Sequence, residues 1–94
     1  MIRSFADAET HTFWVTGRSR RVLPANLRQS ALRKLLMLDS AATLDDLRIP
    51  AGNRLEPLKG DRKGQHSIRI NDQFRICFVW RQDGPHEVEI TDYH

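Results

Sequence analysis

The stretch from Gln65 to Trp80 reads QHSIRINDQFRICFVW, with apolar and polar side chains alternating on both sides of a polar centre. Ile68 and Ile70 are two residues apart, and the alternation resumes at Phe74 and Ile76 with the same period. A period of two is typical of strands with one buried face. The stretch therefore predicts a β-hairpin around which the rest of the chain packs.

The loop of this hairpin is predicted to contain three residues, 71–73. Residues directly opposite in an antiparallel pair lie on the same face of the sheet. A two-residue turn would place Ile68 opposite Arg75 and mix the faces, whereas a three-residue loop, a common hairpin connection, pairs Ile68 with Ile76. The predicted register follows from this choice.

The same register places Arg69 opposite Arg75. Like charges in directly opposite positions are destabilising, which suggests that this face binds an anion. Alternatively, both long side chains extend apart into water. The alternation alone leaves both interpretations open.

The composition is that of an ordinary globular protein, with 94 residues, 39% hydrophobic and 29% charged. We expect one domain over residues 1–94. The net charge of +3 suits a polyanionic partner without requiring one. Cys77 is the single cysteine and predicts a small buried side chain, not a disulfide. No apolar segment resembles a signal peptide or a membrane span, so the expected location is the cytoplasm, with no membrane partner.

The rest of the chain predicts an α+β fold, with N-terminal helices packed on one face of a small antiparallel sheet. Its predicted elements are an edge strand at Ile2–Phe5, a helix capped by Asp7 and ended by Gly17, a helix from about Pro24 to Leu38, a capped turn from Thr43, and a last strand around Val88 and Ile90.

Two registers are compatible with the faces of the last two strands. The preferred one pairs Arg81 with Glu87 and sets Arg75 opposite Tyr93. The other shifts the pairing by two residues and sets Arg75 opposite Thr91.

Two further segments carry candidate chemistry. The loop Arg54–Gly64 contains the cations Lys59, Arg62 and Lys63 between glycines, but it has no Walker sequence. Asp92, Tyr93 and His94 combine a carboxylate, a phenol and an imidazole, which are groups suited to proton transfer. The remaining histidines have no metal-ligand spacing, and no metal site is predicted.

Four segments together resemble a known family: Leu58–Arg62, Ser67–Ile68, Phe74–Ile76 and Asp92–His94. They are similar to the HigB toxins of the RelE/ParE superfamily of bacterial toxin–antitoxin systems. The resemblance implies a RelE-like fold and a ribosome-dependent mRNA endonuclease that cuts codons in the ribosomal A site and arrests growth. It also implies neutralisation by a HigA-like helix-turn-helix antitoxin, with operator DNA bound only through the toxin–antitoxin complex.

By the same resemblance, Lys59 and Arg75 would bind the scissile phosphate. Asp92, Tyr93 and His94 would position the ribose and transfer protons, with the general base and general acid unassigned between Asp92 and His94. The family reaction is attack by the RNA 2′-hydroxyl on the adjacent phosphate and implies no metal or cofactor.

One position departs from the pattern. Some relatives have a catalytic histidine three residues before the lysine, where this chain has Glu56. Either Glu56 serves as the base, or this branch cleaves slowly. Arg62, Lys63 and Arg69 are predicted RNA contacts, and for Arg69 the prediction rests on the hairpin register alone.

Two other function classes compete with this hypothesis. A non-catalytic nucleic-acid-binding module would also use basic faces for phosphate contacts. A ParE-like gyrase poison on the same scaffold is disfavoured by the acid–base groups at 92–94, which a gyrase binder does not need.

Overall fold

The computed structural model describes residues 1–18 and 23–92 and has two α-helices and a four-stranded antiparallel sheet in that part of the chain. The helices are α1 (Ala8–Thr16) and α2 (Arg28–Ser40). The strands, in spatial order, are β1 (Glu56–Pro57), β2 (His66–Arg69), β3 (Phe74–Arg81) and β4 (Gly84–Asp92). Short 3-10 turns occupy Ala25–Leu27, Leu44–Arg48, Ala51–Asn53 and Gly60–Arg62. The predicted fold class is confirmed.

Both predicted boundaries of α1 are confirmed. The Asp7 carboxylate accepts a hydrogen bond from the backbone N–H of Thr10 at 3.0 Å, as an N-cap does. Gly17 ends the helix with φ 75°, and its N–H donates to the carbonyl of Phe13. Helix α2 begins later than predicted because the residues after Pro24 form a 3-10 turn first.

The core lies between the helices and one face of the sheet. Its fully buried members include Phe13 of α1, Leu35 of α2, and Ile68, Ile76 and Phe78 of the hairpin strands. Since alternate residues of a strand point to opposite faces, the polar residues between them lie on the face away from the helices. The core thus orients the hairpin and leaves its polar face for other partners.

The hairpin has the predicted three-residue loop and register. Ile68 pairs with Ile76 and Arg69 with Arg75. The Asn71 side-chain oxygen accepts from the backbone N–H of Gln73 at 2.9 Å, which stabilises the turn from within.

The preferred register between β3 and β4 is wrong. Arg75 lies opposite Thr91, as in the alternative register, and Arg81 lies opposite Gly84 across a tight turn. The pairing shifts by one residue between these points, at a bulge where Glu87 has φ 52°. The side chains of Arg81 and Glu87 nevertheless form an ion pair of 3.4 Å.

The N-terminal segment runs along the outer edge of β4. Phe5 forms a single parallel bridge with Val88, so the predicted edge strand at Ile2–Phe5 is reduced to a bridge in the structure. Gly84 has φ 125°, and a Cβ there would lie 2.9 Å from the Met1 carbonyl oxygen, so only glycine fits. None of the helices in the described ranges is long and apolar enough to cross a membrane.

Candidate active site

The sheet face opposite the helices carries a row of polar side chains across all four strands. Glu56 of β1 is opposite Ser67 of β2, Ser67 is opposite Cys77 of β3, and Cys77 is opposite Glu89 of β4. The next row contains Arg69, Arg75 and Thr91. Strand pairing therefore gathers residues that are far apart in sequence onto one surface.

Arg75 is the best-anchored cation on this face. Its side chain is only 12% exposed. Its Nε donates to the Ser67 hydroxyl at 2.7 Å, and its Nη2 donates to the Arg54 carbonyl oxygen at 2.8 Å. Nη2 also lies 3.2 Å from Oε1 of Glu56, whose side chain is 49% exposed. A largely buried cation requires such partners, and they fix the orientation of the guanidinium.

The Arg54 carbonyl reaches Arg75 because the backbone of Arg54 is left-handed, with φ 46° and ψ 54°. This conformation is uncommon for a residue with a Cβ. It follows the turn Ala51–Asn53, whose last residue is fully buried. The Asn53 side chain donates to the Leu47 carbonyl at 3.2 Å and accepts from the Lys34 ammonium group.

The other predicted cations fall into two groups. Arg62 is held by Glu89 at 2.5 Å and by the Gln65 side chain at 3.0 Å, and Arg69 pairs with Asp72 in the hairpin loop. Lys59 and Lys63 flank the Gly60–Arg62 turn, and both are exposed. The lysines are therefore more accessible to an external polyanion than the two arginines.

Asp92 is exposed and ends β4 opposite Phe74. Its Oδ2 accepts a hydrogen bond of 3.1 Å from the Gln73 side chain, which places the carboxylate at the loop end of the hairpin. Tyr93 and His94, the other two residues of the predicted acid–base segment, lie outside the described residues.

Of the predicted site residues, the structure brings Glu56 directly against Arg75. Two of the Arg75 partners, Ser67 and Arg54, were missed as site residues. The hairpin register contained the signal for Ser67, since it lies diagonally across the strand pair from Arg75 on the same face. The signal for Arg54 is absent from side-chain patterns because its contribution is a backbone carbonyl.

Cys77 does not contribute a nucleophile. Its side chain is fully buried, and burial raises the pKa of the thiol. A protonated thiol at neutral pH is a poor nucleophile. Within residues 1–18 and 23–92, no group of three or more His, Cys, Asp or Glu side chains is arranged to hold a metal ion.

Two solved structures share this architecture. A chain of the YoeB–YefM complex from Staphylococcus aureus superposes with a TM-score of 0.61 at 14% identity, covering 100% of this chain and 98% of that one. YafQ from Escherichia coli strain BL21(DE3) gives a TM-score of 0.55 at 10% identity, covering 98% and 91%. At these identities the likeness concerns the fold.

Sequence similarity identifies the class of protein. The family model for RelE-like toxins of the type II toxin–antitoxin system HigB matches residues 3–94. The chain is 41% identical to Toxin HigB-1 of Vibrio cholerae over 80 residues, which are 85% of this chain and 84% of that protein. It is 32% identical to an uncharacterized protein of Haemophilus influenzae over 79 residues, or 84% and 78% of the two chains. The chain belongs to the HigB-like toxin family, as its motifs predicted, and the partner of a type II toxin is an antitoxin.

Proposed function

We propose that this toxin is a ribosome-dependent mRNA endonuclease that cuts codons in the A site and thereby inhibits translation in the cytoplasm. The observation that carries the proposal is the Arg75 guanidinium, which is held by a buried hydroxyl and a backbone carbonyl on the sheet face away from the helices. A cation fixed in this way is preorganised for a phosphate.

The proposed reaction joins the 2′-hydroxyl oxygen of a ribose to the adjacent phosphorus and breaks the bond from phosphorus to the 5′-oxygen of the next nucleotide. A base removes the 2′-hydroxyl proton, and an acid protonates the departing 5′-oxygen. Arg75 and Lys59 compensate the negative charge that develops on the phosphoryl oxygens. The RNA supplies its own nucleophile, so the reaction uses no metal or cofactor.

Glu56 is our candidate for the base. Its carboxylate lies 3.2 Å from the Arg75 Nη2, so a phosphate bound to Arg75 would be beside it. A base must be within hydrogen-bond reach of the proton that it removes. Asp92, Tyr93 and His94 then position the ribose and supply the acid. Lys63 and Arg69 contact flanking phosphates, whereas Arg62 supports the loop through its ion pair with Glu89.

The proposed partner is a HigA-like helix-turn-helix antitoxin, and operator DNA is bound only through the complex with it. Membership of a type II toxin family supports an antitoxin as partner. The solved YoeB–YefM complex supports the view that this fold accommodates a protein partner.

The test is to produce the toxin without antitoxin and to map mRNA 5′ ends in the arrested cells. We expect cuts that fall in frame within coding regions, and we expect them to disappear in an Arg75→Ala, Lys59→Ala double variant that remains folded. Full toxicity of that variant would exclude the proposed site. Salt-dependent RNA binding without cleavage on translating ribosomes would indicate a non-catalytic module, and DNA damage without mRNA cleavage would indicate a gyrase poison.

A further inference from the structure

We propose that Ser67 and Asn53 are positioning residues that hold the Arg75 guanidinium in its phosphate-binding orientation. The catalytic consequence rests on the proposed function, whereas the positioning itself concerns the free protein. Neither residue needs to touch RNA. Ser67 acts on Arg75 directly, and Asn53 acts through the backbone of Arg54.

Ser67 is fully buried in the middle of the sheet, between Glu56 of β1 and Cys77 of β3. A polar group in such a place is stable only when it is hydrogen-bonded. Its hydroxyl oxygen accepts from the Arg75 Nε at 2.7 Å, which is a short bond to a charged donor. Nε joins the planar guanidinium to the rest of the side chain, so a hydrogen bond to Nε fixes the orientation of the whole group.

The second anchor reaches Arg75 from the Ala51–Asn53 turn. Asn53 has no exposed surface, and its amide bridges the Leu47 carbonyl and the Lys34 ammonium of helix α2. Burial at this contact, together with the nearby charge of Arg33, also lowers the pKa of Lys34. The amide therefore fastens the turn to α2 immediately before Arg54, whose left-handed backbone directs its carbonyl at Arg75.

Ser67 and the Arg54 carbonyl are neutral, so they orient the guanidinium without neutralising its charge. Glu56 is a charged partner of Arg75, and it is half-exposed on a two-residue strand. An arriving phosphate can replace the Glu56 carboxylate at Nη2 while the two neutral acceptors keep their bonds. This arrangement separates the groups that hold Arg75 from the group that yields to substrate.

The direct test is hydrogen exchange of the arginine Nε protons, followed by NMR in the free toxin. We expect the Arg75 Nε proton to exchange much more slowly than that of Arg81, whose side chain is 57% exposed. Ser67→Ala should accelerate exchange at Arg75 by about 10- to 100-fold, the equivalent of one hydrogen bond to a charged group. Ser67→Thr, which restores the hydroxyl, should return exchange towards the wild-type rate.

Thr10→Ala is the matched control. The Thr10 hydroxyl is also buried, and it accepts a hydrogen bond of 3.1 Å from the Ile90 N–H. Its loss should lower thermal stability without changing exchange at Arg75. If folded Ser67→Ala exchanges like the wild type, or if wild-type Arg75 already exchanges as fast as Arg81, the inference is wrong.

Asn53 is tested by the same readout. Folded Asn53→Ala should accelerate exchange of the Arg75 Nε proton although the changed side chain does not touch Arg75, and a wild-type exchange rate in that variant would overturn the role of Asn53.

On translating ribosomes, Ser67→Ala should lower kcat by about 10- to 100-fold with KM nearly unchanged. Another outcome is that exchange at Arg75 accelerates in Ser67→Ala and Asn53→Ala while Arg75→Ala still cleaves mRNA. That result would support the positioning of Arg75 by these residues but contradict the proposed function.

Discussion

A guanidinium that is largely removed from water, as in Arg75, is held by geometry as much as by charge. Two neutral acceptors of Arg75 lie on different elements, Ser67 on β2 and the Arg54 carbonyl after a 3-10 turn. Lysine carries the same charge but has a single nitrogen, which cannot match a planar fork with donors at separate positions. The site therefore depends on arginine specifically.

We accordingly expect Arg75→Lys to lower cleavage on ribosomes by about 10²- to 10³-fold, the usual effect of losing one transition-state donor. Thermal unfolding should show that the variant is still folded. The matched control is Arg81→Lys, which makes the same change six residues along β3 at an exposed ion pair with Glu87. Near-wild-type cleavage by Arg75→Lys would mean that charge alone suffices there.

Glu56 combines two effects that one substitution separates. Its carboxylate competes with phosphate for Arg75, and it is also our candidate base. Glu56→Gln should tighten RNA binding about two- to fivefold, the magnitude of a partly exposed ion pair, while lowering the cleavage rate. Binding is measured by titration of a non-cleavable 2′-deoxy RNA analogue, and cleavage by single-turnover kinetics.

The control for Glu56→Gln is Glu87→Gln, which breaks the Arg81 ion pair and should change neither quantity. Tighter binding with unchanged cleavage would leave Glu56 as a competitor for Arg75 and remove it as the base. Weaker binding would contradict the competition.

At the scale of secondary-structure elements, the turn Leu44–Arg48 has a capping box that makes the stability of the fold depend on pH. The backbone N–H groups of Thr43 and Ala42 donate to Asp46 and lower the pKa of its carboxyl group below the usual value. The folded-state pKa is thus below the unfolded one. Asp46 therefore stabilises the fold above the unfolded pKa of about 3.9, and this contribution is lost as the pH falls through the folded-state pKa.

Asp46→Ala should consequently be less stable than the wild type at pH 7, and the difference in the free energy of unfolding should shrink as the pH falls below about 4. Urea denaturation at several pH values measures it. Thr43→Ala, which removes the other half of the box, should cost about 1 kcal/mol. Asp45→Ala in the same turn is the control, since its carboxylate makes an exposed pair with Arg48. If the difference in the free energy of unfolding between Asp46→Ala and the wild type stayed constant across the pH range, the stabilisation would not come from the lowered pKa of Asp46.

The elements also show where prediction from sequence succeeds. The hairpin register followed from alternating faces because its loop, 71–73, leaves the strands regular. The β3–β4 register did not, because Glu87 adopts a left-handed conformation that its side chain does not signal. Arg54 is the same case at the site, where a non-glycine residue with positive φ supplies a carbonyl. Side-chain patterns predict faces, and these two departures of the backbone from regular geometry decide which residues finally meet.

On the scale of the whole molecule, the 15 lysines and arginines are not equally available to RNA. Arg62 is already paired with Glu89, with both side chains less than one-third exposed. Lys59 and Lys63 are exposed, and neither takes part in an ion pair among the described residues. Their charges should therefore dominate the long-range attraction of a polyanion.

We therefore expect the double variant Lys59→Ala, Lys63→Ala to reduce the slope of log Kd against log salt concentration by about 1.4, because each phosphate contact with single-stranded RNA contributes about 0.7.

Arg62→Ala should instead lower the midpoint of thermal unfolding by roughly 4–8 °C, since losing the ion pair with Glu89 costs about 1 kcal/mol. Arg48→Ala removes a cation from a different turn and is the control for net charge. If Arg62→Ala reduced the salt slope as much as a lysine change and left the midpoint unaltered, Arg62 would be an RNA contact and not a structural cation.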